Sequence, residues 1–300
     1  MMFIDVLIIG GSFAGLSAAM PLVRGRRKVL LLDTKMPRNR FASASHGVFC
    51  LDGKAPADIQ AEALSQLRQY PTFEFKEDEA IAIEKIVTDF VISTRAGSRY
   101  IAKKVILAFG IQDQLPDIPG VETFWGKNVI HCPYCHGYEL SGGPLGVLAT
   151  HELSSHQAAM IPDWGPTTLF IQGKHYPKGE QAATLKRRGV TLEHTPVVQV
   201  VGSKDRMSSV LLEDGRSIEL QGLYVAPTIT IQSPLVDALG LVLQQNAMGA
   251  FIEVDEFKES SVKGVFVAGD LSNPLQNGTF AIASGTLAGI AAHRALMFNC

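Results

Sequence analysis

Apolar residues fall along the chain in short blocks closed by glycine or an acid. The first block, Asp5-Val-Leu-Ile-Ile-Gly10, is apolar without alternation, which predicts a strand buried on both faces of a parallel sheet. Gly10-Gly-Ser-Phe-Ala-Gly15 follows, then Leu16-Ser-Ala-Ala-Met20, which suits a helix. Lys28-Val-Leu-Leu-Leu-Asp33 is a second apolar strand ending in an acid. Strand, glycine-rich turn, helix, strand and acid make a βαβ unit of about 30 residues, as a dinucleotide fold requires. Pro56 to Tyr70 predicts an exposed helix, and 71–110 several strands with turns at Asp89 and Ala96-Gly97-Ser98. Val105-Ile-Leu-Ala-Phe-Gly110 predicts a strand that stops at a glycine. Pro116, Pro119 and Gly120 then punctuate a domain crossing. Residues 145–149 and 167–171 predict two strands of a second βαβ unit, with 152–161 as the helix between them. Gly264-Val-Phe-Val-Ala-Gly-Asp270 is one more strand ending in glycine and acid, and Phe280 to Met297 is an apolar helix of small residues.

Composition narrows the class. Apolar residues make up 46% of 300 and charged residues 19%, which excludes a disordered chain and allows a sizeable core. Lys+Arg is 27 and Asp+Glu 29, a net charge of −2, so no broad nucleic-acid surface is expected. No apolar run is read as reaching the roughly 18–20 residues of a membrane span. Asp5 interrupts Phe3–Ile9 and no small-residue cleavage site follows, so a cytoplasmic location is expected. Four cysteines do not make a disulfide scaffold; Cys50 and Cys300 stand alone and read as incidental thiols, while Cys132 and Cys135 form a C-x-x-C.

Two constellations carry chemistry. Glycines at Gly10, Gly11 and Gly15 let backbone approach a pyrophosphate, and the helix that follows offers free N–H groups. Ser12 stands where the strict motif has its second glycine; it is small and can itself donate to phosphate. Asp33 is placed to bind a ribose hydroxyl pair, which favours FAD or NAD over NADP. The second constellation is His131-Cys-Pro-Tyr-Cys-His136. Its thiols can close a small disulfide, and a flanking histidine can move the proton that exchange requires. Zinc could use the same four side chains, but they crowd into six residues. His151 and His156, five apart, sit about 140° around a helix and share no face. Asn277-Gly-Thr279 is a sequon without a secretion signal, and Lys103-Lys104 and Lys186-Arg187-Arg188 read as solvated faces.

The order and spacing of these features resemble the low-molecular-weight thioredoxin reductase family of flavoproteins across nearly the whole chain. Cys132-Pro-Tyr-Cys-His-Gly-Tyr-Glu139 is similar to the subgroup of dithiol oxidases such as gliotoxin oxidase. The resemblance implies an α/β fold of two Rossmann-like, three-layer ββα domains, the second inserted into the first. The FAD domain would span 1–114 and 244–300, and the inserted NADPH-type domain 115–243. Gly10, Gly11, Ser12, Phe13, Ala14 and Gly15 would hold the pyrophosphate. Asp33 would take the ribose, with Lys35 and Arg40 nearby. Ala108, Phe109 and Gly110 would match the family's A-T-G strand end. Gly269 and Asp270 would meet the ribityl chain, Phe280 and Ala281 the isoalloxazine edge, and His46 would also approach the flavin. Cys135 would face the flavin, Cys132 would attack the partner's disulfide, and His136 would be the acid/base. A homodimer is also implied.

One departure stands out. The family's second glycine-rich turn is replaced here by Gly146-Val-Leu-Ala-Thr-His-Glu-Leu-Ser154, with no glycine in the turn. Phe170-Ile-Gln-Gly-Lys174 stands where an arginine pair grips a 2′-phosphate. The expectation is an inserted domain that keeps its fold and no longer binds NADPH, leaving ferredoxin, dioxygen, a second FAD or another planar ligand as electron partner. Its substrate would be a thioredoxin-like protein or a small dithiol or disulfide. The rivals are a dithiol oxidase using dioxygen and a flavin redox sensor without turnover.

Overall fold

The computed structural model describes residues 2–140 and 142–298; Cys300 lies outside them. The chain divides into two compact units, one of Met1–Arg40, Ala55–Gln112 and Ile229–Cys300, the other of Phe41–Lys54 and Asp113–Thr228.

In the first unit, Met2–Ile9 lies between Val29–Asp33 and Arg99–Leu107, parallel to both. Phe73–Glu77 extends the sheet in parallel beyond Val29–Asp33, and Val265–Val267 pairs in parallel with Arg99–Leu107. The apolar blocks are apolar because both faces are covered. Leu7, Ile9, Leu30, Leu32, Val105 and Leu107 enter one cluster, closed by Phe90, Ile92 and the helix Pro234–Leu239. Their alternates Val6, Ile8, Val29, Leu31 and Ile106 enter the other, beneath the helices Phe13–Arg24 and Gly278–Phe298. Asp89–Thr94 and Ala80–Ile86 continue the sheet antiparallel, supplying the third layer. The turn expected at Asp89 falls earlier: Val87 takes a φ of 54°, the left-handed backbone that a tight hairpin demands, and Asp89 opens the next strand.

The closing helix, 21 residues with a mean hydropathy of 1.2, is long and apolar enough to cross a membrane, correcting the expectation that no such run exists. Its small residues have a packing reason. A Cβ on Gly285 would strike the Ala14 carbonyl, and one on Gly289 the Ala18 carbonyl, so the glycines let this helix lie directly on the first.

The second unit repeats the plan. Its five strands run parallel in the order Thr191–Glu193, Thr167–Phe170, Leu145–Leu148, Gly222–Val225 and Val129–Ile130. Leu145, Val147 and Leu169 pack under the helices Ser154–Met160 and Gly179–Arg187. Leu148 and Phe170 face the antiparallel strands Val197–Ser203, Arg206–Leu212 and Ser217–Glu219. The basic cluster of this unit is locally matched, with Arg187 on Glu180 and Arg188 on Asp163.

Candidate active site

The turn of the first unit is built so that each glycine is required. Gly10 has a φ of 107°, and a Cβ there would strike the Ala108 carbonyl. A Cβ on Gly11 would fall 2.8 Å from that of Asp33, and one on Gly15 would strike the Gly10 carbonyl. Ser12 is the extended N-cap of Phe13–Arg24, yet its hydroxyl caps nothing, leaving the first-turn N–H groups open. The Gly11 N–H donates to Asp33 Oδ1 at 2.8 Å and the Lys35 N–H to Asp33 Oδ2 at 3.1 Å. Both carboxylate oxygens keep lone pairs for further donors.

Ala108, Phe109 and Gly110 follow the strand end beside this turn; Gly110 has a φ of 77°. A Cβ on Gly269 would meet that of Ala14 at 3.0 Å, so the Gly269–Leu271 turn closes on the same helix start. Ala281 sits in the first turn of the closing helix, and Phe280 beside it is exposed. Lys35 extends to Glu77 at 2.6 Å, while an Arg40 Nη1–H donates to the Pro37 carbonyl at 3.0 Å. A residue not anticipated does more. Arg38 Nη1 lies 3.1 Å from Asp270 Oδ2 and donates to Gln276 Oε1 at 2.6 Å, while Gln276 Nε2 is buried with no partner. A cradle that any Cβ would fill, a carboxylate with spare acceptors and a buried orphan donor fit a dinucleotide such as FAD.

The second unit holds the sulfur chemistry. Cys132 and Cys135 are joined by a disulfide, their Cα atoms 5.3 Å apart. Cys132 is the extended N-cap of the short helix Pro133–His136, and Pro133, which lacks an N–H, occupies the position where none is needed. Tyr134 is exposed and meets Trp164 edge-on at 5.6 Å. His131 stacks on Trp125.

The segment 41–54 belongs to this unit and brings His46 to His136, ring centroids 6.3 Å apart. His46 in turn stands between two carboxylates, 3.6 Å from Asp52 and 3.5 Å from Glu139. His136 Nε2 is buried and without a partner. Burial holds this imidazole below the ordinary histidine value; His46 lowers it further and Glu139 opposes. It is therefore neutral at neutral pH and able to take or return one proton. Cys50, in the same segment, is a free and exposed thiol.

The turn after Leu145–Leu148 differs from the first in kind. The Thr150 and His151 N–H groups both donate to the Ser154 hydroxyl, at 3.1 and 3.4 Å, and the Leu153 N–H donates to His151 Nδ1 at 3.2 Å. Ser154 is fully buried. Three amides of this turn are thus taken up by side chains of the turn itself.

Two nucleotide-type units, one with an open glycine cradle and an acid, the other with a disulfide beside a buried histidine, define a flavin-dependent disulfide oxidoreductase. Comparison with known proteins agrees: the chain belongs to the pyridine nucleotide-disulphide oxidoreductase family, whose profile matches residues 4–160 and 175–285. It is 33% identical over 297 residues to the thioredoxin reductase tcpT of Claviceps purpurea, covering 95% of this chain and 92% of that one. Among solved structures it resembles an oxidoreductase from Agrobacterium tumefaciens, with 43% identity, a TM-score of 0.95 and 99% of each chain covered. It also resembles HlmI, with 32% identity, a TM-score of 0.92 and coverage of 98% and 92%.

Proposed function

We propose that this enzyme passes an electron pair between bound FAD and a partner's disulfide or dithiol through Cys132 and Cys135, without NADPH. The observation that carries the exchange is the bonded cysteine pair followed directly by the buried, partnerless His136 imidazole. When bound, FAD supplies the two-electron chemistry.

In the reducing direction the Cys132 thiolate attacks the partner's disulfide. One S–S bond breaks, a mixed disulfide forms, and the first partner sulfur leaves as thiolate. The Cys135 thiolate then attacks the Cys132 sulfur, re-forming the internal disulfide and releasing the second partner sulfur. The partner has gained two electrons, and two protons complete its thiols. In the oxidising direction the same bonds form and break in reverse. His136, neutral at rest, accepts a proton from the incoming thiol or returns one to the leaving sulfur. The His46–Glu139–Asp52 group sets the field around it. Relatives named thioredoxin reductases support a thioredoxin-like protein as partner.

The self-capped turn at Thr150–Ser154 supports independence from NADPH, since the amides of Thr150, His151 and Leu153 already have acceptors within the turn. The electron partner is then ferredoxin, a second flavin or dioxygen. The same turn favours a second reading, a dithiol oxidase. A small dithiol would give two electrons and two protons, and dioxygen would leave as hydrogen peroxide, with no nucleotide site required. The test is an anaerobic visible spectrum of the purified holoenzyme. The flavin band near roughly 450 nm is expected to survive NADPH and to bleach with a dithiol. Bleaching by NADPH within seconds would return the protein to nucleotide-dependent disulfide reduction. Peroxide released on admitting air after the dithiol selects the oxidase reading.

A further inference from the structure

The second unit contains a cavity of about 450 Å³ at the carboxyl ends of its parallel strands. Leu145–Leu148 is paired on one side with Thr167–Phe170 and on the other with Gly222–Val225, so the chain winds in opposite directions from it. Ligands of open α/β sheets settle in the crevice at such a switch point. Leu148, Thr150, Lys174, His175 and Ala226 line it from three strand ends.

Three features specify what the crevice accepts. Its size lies in the lower half of the range of small-molecule pockets, which run from about 300 to 1,000 Å³. Its lining includes the apolar side chains of Leu115 and Ile118. Its lining also carries the polar side chains of Lys174 and His175. His175 Nε2 is buried with no partner, as is Nε2 of the neighbouring His151, which stands outside the lining itself. His151 Nδ1 already accepts the Leu153 N–H, so the proton of the neutral ring sits on Nε2, a buried donor left over. Burial and the neighbouring Lys174 charge hold His175 below the ordinary histidine value, while Glu152 opposes. The Lys174 ammonium forms no ion pair with any described residue.

The loop that presents Lys174 and His175 is held under strain. Gln172 is a non-glycine residue at φ 55°, followed by Gly173 at φ 65°. The Gln172 side chain pins this shape by bonding the Val197 carbonyl at 3.2 Å and the Val197 N–H at 2.8 Å. Backbone strain of this kind persists where surrounding structure over-determines it and gathers at ligand clamps.

We propose that this crevice binds a compact organic anion in place of a dinucleotide. Its single carboxylate or phosphate-monoester head would meet Lys174 and the His175 imidazole, and its apolar body Leu115 and Ile118. The proposal rests on the reading that the unit has given up NADPH. Glu152, near His175, limits the head to one anionic group.

The probe is 8-anilinonaphthalene-1-sulfonate, an anion on an apolar body, titrated into the holoenzyme by fluorescence. One saturable site is expected, weakened at least about tenfold by Lys174→Glu and blocked by Thr228→Trp, which fills the crevice from its exposed edge. Decanoate or phenyl phosphate should displace the probe, and the better competitor names the head group. Absence of a saturable site, indifference to both substitutions, or displacement by neither competitor overturns the proposal. If the probe fails while NADPH leaves the flavin band intact, this proposal alone falls. If NADPH displaces the probe and bleaches the band, the crevice is a dinucleotide site and the NADPH-independent reading falls with it.

Discussion

The two units share a βαβ plan on a covered parallel sheet and differ most tellingly in one turn. In the first, Gly10 and Gly15 bring backbone to backbone, Gly11 makes room for the Asp33 side chain, and the helix start is left without a side-chain cap. In the second, side chains occupy the turn, and a buried serine hydroxyl takes up two of its amides. On the proposed reading, a parallel sheet with covered faces does not by itself make a pyrophosphate site. Stability comes from the sheet's two apolar faces, and binding from which N–H groups are left over.

The contrast can be broken from either side. The largest effect is expected from Gly15→Ala, whose Cβ strikes the Gly10 carbonyl. Relieving that contact costs about 1–3 kcal/mol or more, so flavin content of the purified protein should fall to near zero and turnover with it. Retained stoichiometric flavin would show that the turn yields. Next comes His136→Asn, which should slow dithiol oxidation by about 100-fold or more while flavin content stays normal. The wild-type pH–rate profile should have an acid limb below the ordinary histidine value, because the folded ring resists protonation. That limb should vanish in the variant. The sign for stability is the same: with its folded value depressed, His136 favours the folded state above the ordinary value and withdraws that contribution as pH falls. The smallest effect is expected from Ser154→Ala, which orphans the Thr150 and His151 amides. It should cost about 1 kcal/mol, lowering the Tm by about 2 °C in a thermal melt, with no gain of NADPH oxidation. Gain of that activity would mean the serine alone had closed the turn.

Much of this was legible in one dimension. The buried strands announce themselves as unbroken apolar runs, and the glycine turn, Asp33 and the cysteine pair are local patterns. What the sequence hid is long-range. Arg38 meets Asp270 from the far end of the chain, a pairing that no local pattern encodes. Segment 41–54 has no periodicity to place it, so the arrival of His46 between Asp52 and Glu139, beside His136, could not be foreseen. Ser154 read as one more polar residue of a helix start. Only its burial and the two amides aimed at its hydroxyl show that it caps the turn. The small residues of Phe280–Met297 were visible, but the reason for them lay on the first helix.

That helix pair bears on the order in which the protein can be made. Gly285 and Gly289 sit on the carbonyls of Ala14 and Ala18, so the earliest helix finishes its packing only against the latest. At about 5–20 residues per second, the ribosome holds the first βαβ segment for roughly ten seconds or more before its cover emerges. Residues 113–228 are meanwhile already complete. The thiol-bearing unit can thus fold first, whereas the other unit completes its packing only once its closing helix has emerged.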